Sequence, residues 1–443
     1  MGVVIVRFKK KDSFILNSGT VEILDLLGEG GQGEVYLVKY KGKQLAFKYY
    51  KEKPNRDFKE NMIANIKKGT PMPTFLWPQE FVEFVDGNCG YLMNLRPKNF
   101  VSFVSYLNGQ ERFDNDFLKL KWCIELARSF KFLHDRGYSY QDLNDGSFFF
   151  DPHTGDLLIC DNDNVTANKK NLGIVGKMRY MAPEIVRGDK DRLTNSAQLP
   201  DIHSDRFSLA VIMFLTFCLG NPFEGEHLKN YILVDEKAEY ELFGKKILYI
   251  YNEQDRSNRP IRGYHTAVIN RYPLLPSYIK KAFYKTFVDG LKDRENSRTT
   301  ELEWLKLLTR YRDELITCSC GQNYAYSTFD QSNNRCPKCG KQAKKICYLD
   351  VNKNRILFEP GKCVFKTHLD KCSDEYNKPI GKIIVNKNNP SLWGIKLSLN
   401  NDVQIKDLNG TIKNINRDGV IPVLNGLKIK FNDNAIGRIV LSK

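Results

Sequence analysis

The spacing of apolar residues changes along this chain. Over residues 21–27, 34–40 and 44–50 apolar and polar positions alternate, which predicts three strands, the last two joined by Lys41-Gly42-Lys43. Residues 54–68 switch to helical spacing, with Phe58, Met62, Ile63 and Ile66 on one side and Gly69 as the stop. Residues 90–95 form a further short strand before Arg96-Pro97. From Phe117 the period becomes helical: Leu118, Leu120, Trp122, Ile124, Leu126, Ala127, Phe130 and Leu133 mark a long helix ending near Gly137. Further helices are predicted near 204–219, 277–291 and 300–316. Residues 348–443 alternate short apolar runs with turns at Asn409-Gly410, Asp418-Gly419 and Asn425-Gly426, the pattern of a small all-β domain.

A small sheet-rich lobe therefore precedes a larger helical one, and the cleft between them is the natural ligand site. With 443 residues, 42% of them hydrophobic, the chain can build large cores and more than one domain. Its longest strongly apolar run, 209–219, is too short to span a bilayer and reads as a buried helix. The N-terminus lacks the basic-then-apolar order of a signal peptide, so a cytoplasmic protein without membrane attachment is expected.

The net charge of +16 is uneven: residues 314–443 hold 21 Lys and Arg against 11 Asp and Glu. Such a tail can attract nucleic acid or acidic surfaces, though a solvated Lys-rich face is the plainer reading. Seven of the eleven cysteines fall between Cys318 and Cys372. Clustering of this kind in a chain of reducing compartments favours metal over disulfides.

Two carboxylates carry the candidate chemistry. Asp142 and Asp161 each follow apolar residues, each opens a loop, and a short hairpin joins them. One acid could orient a hydroxyl while the other holds a metal. The first two strands are joined by Gly28-Glu-Gly30-Gly31-Gln-Gly33-Glu-Val35, where glycines let backbone N–H groups approach phosphate oxygens. A strand follows this loop, which argues against a dinucleotide fold, where a helix would follow. Lys48, alternating with Ala46 and Tyr50 on one strand face, can reach phosphates, and Glu60 in the next helix is the candidate carboxylate to hold it.

These residues resemble the eukaryotic-type Ser/Thr protein kinase family. The resemblance runs from about Gly28 to Arg298 and includes the glycine loop, Lys48, Leu133-His134-x-x-Gly137, Asp142, Asp161, Tyr180-Met181-Ala182-Pro183-Glu184, Ser204-Asp205-x-x-Ser208-Leu209 and Arg298. It implies an α+β, bilobal fold over residues 18–313, after an extension at 1–17. It also implies an ATP- and Mg²⁺-dependent transfer of the γ-phosphate to a protein hydroxyl. Gly28, Gly30, Gly31, Gly33, Val35 and Ala46 would surround the nucleotide, with Met93 to Leu95 as the hinge against adenine. Lys48, held by Glu60, would position the phosphates; Asp142 would take the hydroxyl proton; Asp161 would bind Mg²⁺. Glu184 and Arg298 would pair, and Asp205 would brace the catalytic loop. Phe75-x-Trp77-Pro78 and Gly87-Asn-x-x-Gly-Tyr-Leu-Met93 resemble a bacterial branch whose members sit beside phosphatases and von Willebrand-type domain proteins, which would be its partners besides the protein substrate.

Several letters depart from that pattern. Gln141 stands where an Arg normally docks a phosphorylated loop, and Thr166 is the one Ser or Thr between Asp161 and Glu184, so activation is expected without loop phosphorylation. Ser147 replaces a metal-binding Asn, Asn144 replaces a Lys, Lys177 replaces a Thr, and Asn162-Asp163 replaces Phe-Gly, with Asp163 a candidate second carboxylate for the metals. An ATP-binding pseudokinase scaffold is therefore the second reading.

Cys318-x-Cys320-Gly321 and Cys336-x-x-Cys339-Gly340 predict a closed four-thiolate Zn²⁺ site, a ribbon over 314–347, with Tyr324-Ala-Tyr-Ser as one strand of a hairpin. Cys347, Cys363, His368 and Cys372 are irregularly spaced and read as buried or spare groups. The domain over 348–443 faintly resembles the second half of forkhead-associated domains through Asp407-Leu-Asn409-Gly410-Thr411 and Pro422-Val-Leu-Asn-Gly426, and would dock or regulate. A nucleic-acid-binding adaptor led by the basic tail is the third reading, weakened because no aromatic-plus-basic stripe accompanies the charge.

Overall fold

The computed structural model describes residues 7–170, 172, 176–191, 196–326, 335–343, 346–352, 354–399, 402–416 and 419–441. The chain divides into two compact units. One comprises residues 1–114, 129–268 and 283–301, the other residues 115–128, 269–282 and 302–443.

The first unit opens with β1 (Ser13–Leu16), β2 (Gly19–Glu29), β3 (Gly33–Tyr40), β4 (Lys43–Tyr50), helix α1 (Arg56–Lys68), β5 (Pro78–Glu83) and β6 (Cys89–Asn94). They form one antiparallel sheet in the order β1-β2-β3-β4-β6-β5. Ser13–Leu16 thus joins the sheet, so part of the extension expected over 1–17 is one of its strands. One face buries Val21, Ile23, Val38 and Phe47 beneath a ring cluster in which Phe8 meets Tyr36 and Tyr49 edge-on. The other face carries Ala46, Lys48 and Tyr50, because period-two alternation sends these to the side opposite Phe47 and Tyr49. Bulges between Ile23 and Asp25 and between Leu26 and Gly28 bend β2 as it enters the glycine loop.

Asn55 caps α1, its side chain accepting from Phe58 N at 2.8 Å, and Gly69 ends it at φ 75°. Of the four apolar residues expected on the buried side of α1, Phe58, Met62 and Ile66 pack on the core and Ile63 does not. Met62 is buried beside Asn61 and Asn65, while Ile63 is exposed.

Next come β7 (Val101–Ser102), α2 (Phe103–Leu107) and the long α3 (Asp116–Asp135), whose residues divide between the two units. Then follow β8 (Tyr138–Ser139), the hairpin of β9 (Phe148–Phe150) and β10 (Leu157–Ile159), β11 (Thr166–Ala167), α4 (Pro183–Arg187) and α5 (Ile202–Cys218). The apolar run at 209–219 is the buried core of α5, which starts in a capping box formed by Asp201 and Ser204.

In the second unit β12 (Leu315–Thr317) pairs with β13 (Asn323–Ala325). Tyr324 and Ala325 of the predicted hairpin strand lie in β13, and Ser327 lies outside the described residues. Two antiparallel sheets follow. One has six strands: β14 (Cys347–Val351), β15 (Asn354–Phe358), β19 (Val403–Lys406), β20 (Ile412–Ile415), β22 (Lys428–Asn432) and β23 (Ala435–Leu441). The other has four: β16 (Cys363–Phe365), β17 (Pro379–Val385), β18 (Trp393–Leu397) and β21 (Val420–Pro422). Leu349, Ile429 and Ile439 of the first sheet share a core with Ile383, Ile395 and Ile421 of the second, so the predicted all-β domain is a sandwich. Cys347 is buried in that core. Among the described residues no helix is long and apolar enough to cross a membrane.

Candidate active site

Register across the first sheet assembles the site. Val35 pairs with Lys48, Lys48 with Tyr91, and Ala46 with Met93, so three strands present adjacent residues to one cavity. The cavity has a volume of about 690 Å³. Leu27, Val35, Ala46, Leu76, Met93 and Leu95 give it apolar walls; Lys48 and Asp161 line it as an ion pair, and Gln44, Asn94, Arg96 and Lys98 add polar lining. That lining suits a flat aromatic base attached to charged phosphates.

The glycines of the loop differ in their duties. Gly28 lines the cavity, and a Cβ there would meet nothing within 4 Å. Gly30 and Gly31 are exposed at the turn, which the Gly30 N–H closes onto Gly33 O at 2.8 Å. Gly33 is required by packing, since a Cβ would sit 2.3 Å from Tyr49 O. Strand pairing alone therefore demands glycine at this place in the loop motif.

Lys48 Nζ lies 2.7 Å from Asp163 Oδ2 and 3.2 Å from Asp161 Oδ1. The Tyr50 hydroxyl donates to Asp163 Oδ2 at 2.5 Å and the Tyr91 hydroxyl to Oδ1 at 3.3 Å. Burial by itself would lower the Lys48 pKa, but the two carboxylates raise it, so the ammonium stays charged. Burial would raise that of Asp163, and Lys48 more than reverses this, holding it below the ordinary carboxylate range.

Two expectations fail here. Glu60 does not hold Lys48: it sits on the outer face of α1, paired with Arg56 at 2.6 Å, one helical turn away. Asp163 does not face a metal site either, because both its oxygens are taken by Lys48 and the two tyrosines in a fully buried position.

Asp161 turns its carboxylate into the cavity, 46% exposed, from a backbone at φ 52°. A left-handed backbone at a non-glycine residue is costly and is tolerated best by Asp and Asn, whose short side chains bond locally. Ser147, the other expected metal ligand, is wholly buried and does not line the cavity; its N–H is held by Asn144 O and its carbonyl by Cys160 N. One carboxylate thus faces the phosphate end. That fits Mg²⁺, which takes one or two protein carboxylates and completes its shell with phosphate oxygens and water.

Asp142 accepts a hydrogen bond from Asn144 Nδ2 at 3.0 Å. Burial, reinforced by the nearby Asp161 charge, raises its pKa despite that bond, which makes it a better base than an exposed aspartate. Lys177 Nζ contacts Asp145 at 2.9 Å and lowers the Asp142 pKa through its charge. The position left neutral by Asn144 therefore has a cation nearby, delivered from the other side of the loop.

The catalytic loop hangs from Asp205, whose Oδ2 accepts from Tyr140 N at 2.6 Å and whose Oδ1 accepts from Gln141 N at 3.3 Å. His134 bridges Asp205 at 3.1 Å and Glu301 at 2.9 Å, and Arg206 closes the group on Glu301 at 2.9 Å. Gln141, at φ 71°, donates through Nε2 to Thr166 Oγ1 and Lys170 O, and Thr166 is fully buried. Glu184 and Arg298 form a two-pronged buried pair, both contacts at 2.8 Å, which draws the Glu184 pKa down to about 2 against the effect of burial.

Sequence reading missed Tyr50, Tyr91, Asn61 and Asn65. The two asparagines donate from α1 to the same carbonyl, Val165 O, each at 2.8 Å. Their signal was present as two amides at i and i+4 on the side of α1 that should have been apolar.

In the second unit, the four Sγ atoms of Cys318, Cys320, Cys336 and Cys339 lie within 4.8 Å of one another. Cys318 and Cys339 are 3.6 Å apart, as are Cys320 and Cys336, too far for disulfides. Tetrahedral zinc with Zn–S bonds of about 2.3 Å needs sulfur separations of about 3.8 Å. Each pair sits in a similar turn, closed by Gly321 N on Cys318 O and by Gly340 N on Cys336 O, with the glycines at φ 84° and 71°.

Residues 21–300 match the protein kinase domain family. Among curated proteins the chain is similar to the serine/threonine-protein kinase SCH9 of Saccharomyces cerevisiae, 26% identical over 222 residues, and to a cAMP-dependent protein kinase catalytic subunit of Encephalitozoon cuniculi, 25% over 213 residues. It is also 24% identical over 227 residues to a serine/threonine-protein kinase/receptor of Acanthamoeba polyphaga mimivirus. Each similarity covers 46% of this chain, and 25%, 61% and 13% of those proteins respectively, so the chain spans only part of the relatives it matches.

Proposed function

This chain belongs to the protein kinase family, its domain filling residues 21–300, and we propose that it transfers the γ-phosphate of ATP to a serine or threonine hydroxyl of a protein. The observation that carries this reading is the meeting of Lys48 and Asp161 at 3.2 Å in a cavity that Val35, Ala46, Met93 and Leu95 also line.

In this mechanism adenine lies between Val35, Ala46 and Met93, and Lys48 neutralises the α- and β-phosphates. Asp161 would hold Mg²⁺, which when bound screens the β- and γ-phosphate oxygens. Asp142 accepts the proton of the incoming hydroxyl as its oxygen attacks the γ-phosphorus. The bond from that phosphorus to the bridging oxygen breaks, and ADP departs. Lys177 stands near the transferring group in place of the lysine that Asn144 lacks. Positioning and charge account for most of the rate in such a site.

The test is transfer from γ-labelled ATP to protein acceptors, wild type against Asp142→Ala and Asp161→Asn. Wild type is expected to transfer, with each variant at least about a hundredfold slower. ATP binding without transfer in any of the three proteins would leave a nucleotide-binding scaffold in place of an enzyme.

The four cysteines support a structural Zn²⁺ site beside the β-sandwich, a pair of modules suited to docking or regulation. The bacterial-branch likeness, and with it a phosphatase or von Willebrand-type partner, rests on the residues around Trp77 and Tyr91 alone.

A further inference from the structure

The phosphate-binding lysine has lost its expected partner without losing a partner. We propose that Asp163, in the loop that carries the metal carboxylate, is the positioning residue for Lys48, so that the lysine is set by that loop and not by an acid of helix α1. This rests on the kinase reading for its purpose and on the following geometry for its substance.

Asp163 is the nearer of the two carboxylates on Lys48, at 2.7 Å against 3.2 Å for Asp161. Its side chain is 1% exposed, whereas that of Asp161 is 46% exposed and open to the cavity. A metal and phosphates recruited to Asp161 would draw that carboxylate away from the lysine, leaving Asp163 as its fixed anion. The hydroxyls of Tyr50 and Tyr91 occupy the remaining acceptor sites, so Asp163 has one orientation. A buried carboxylate is tolerated only when paired and hydrogen-bonded in this way.

Helix α1 offers no acid in exchange. Glu60 is on the outside with Arg56, and the residues α1 buries are Asn61, Met62 and Asn65. Those amides hold α1 to Val165 O, two positions beyond Asp163, by neutral bonds. One five-residue loop therefore supplies the metal ligand, the lysine holder and the seat of α1. Movement of α1 alone would not release Lys48.

The experiment is ADP binding by calorimetry on the full chain in EDTA, which reads the lysine–phosphate contact without metal and without phosphate transfer. Asp163→Asn keeps the shape and removes the charge. It is expected to bind roughly tenfold or more weakly. Glu60→Ala should bind like wild type. The double variant Lys48→Met/Asp163→Asn, which removes both charges and so leaves neither buried unpaired, should bind no more weakly than Lys48→Met alone, because Asp163 acts through Lys48. If transfer activity is present, the Mg²⁺ concentration for half-maximal rate should not move in Asp163→Asn while the KM for ATP rises. Wild-type affinity in Asp163→Asn, loss in Glu60→Ala, an additive double variant or a shifted Mg²⁺ requirement would each overturn the assignment. Absence of phosphate transfer with the expected ADP pattern would sink the kinase reading and leave this one standing. Should Asp163→Asn fail to fold, Asp163→Ser takes its place, with the same weakening expected and wild-type affinity again overturning the assignment.

Discussion

Gln141 replaces a charge-dependent contact by a neutral one. An arginine there would need an anion on the loop; the glutamine amide instead bonds directly to Thr166 Oγ1 and Lys170 O. Because Thr166 is fully buried, a phosphate on it would have to break this contact. Protein stripped of phosphate should thus transfer at its full rate, with Thr166 unmodified by mass spectrometry; loss of rate together with loss of a Thr166 phosphate would refute this. Gln141→Ala should cost only about 0.5–1.5 kcal/mol in urea unfolding, because Thr166 Oγ1 still donates to Lys170 O at 2.9 Å. His134 makes a separate prediction. Burial opposes its charge, yet the bonds to Asp205 and Glu301 raise its pKa to about 9 from 6.5. The folded state thus binds its proton more tightly than the unfolded chain, so this stability is whole below pH 6.5 and fades as pH climbs to about 9. Urea midpoints measured across that window should fall for wild type and stay flatter for His134→Asn. At this scale Lys48, Asp142 and Asp161 were legible because order and local setting mark them. Tyr50 was not, since its hydroxyl partner lies 113 positions away and a strand tyrosine reads as core.

Among elements, α1 shows where periodicity reads true and where it misleads. Its limits follow from Asn55 and Gly69, and the structure ends it where those letters do. Its facing holds for Phe58, Met62 and Ile66, which pack on the core, and fails at Ile63, which is turned out while Asn61 and Asn65 reach inward to Val165 O. A buried carbonyl holding two amides outweighs one more apolar contact, given the cost of leaving it unpaired. Asn61→Ala/Asn65→Ala should therefore destabilise the protein by roughly 2–4 kcal/mol. Asn65→Ala alone should cost less, because Asn61 Nδ2 still donates to Val165 O at 2.8 Å. Equal stability of double variant and wild type in urea unfolding would mean the two amides do not seat the helix. The strands of the glycine loop carry a similar lesson: Gly33 belongs to a motif read as chemistry, and what demands it is the backbone of Tyr49.

At the scale of the molecule, cysteine spacing was a better guide than charge. The basic excess of the last 130 residues pointed at nucleic acid and led to no particular residue, because charge speaks of association and not of fold. The cysteines led to a specific geometry: two glycine-closed turns whose sulfurs stand 3.6 Å apart pairwise. Cys336 also belongs to the small core of Ile316, Tyr324, Ile346 and Leu357, so a metal on the four thiolates and this apolar packing would hold the same segment. So small a core needs a further source of folding energy, which a metal supplies in metal-dependent small domains. The purified chain should carry one Zn²⁺, and Cys336→Ser should lose it. Hydrogen exchange should then rise across β12, β13 and the two turns, while ADP affinity stays within about twofold of wild type, since every residue lining the nucleotide cavity comes from the first unit. Full zinc content in Cys336→Ser, or unchanged protection of β12 and β13 after the metal is gone, would show that the four sulfurs do not staple this part of the chain.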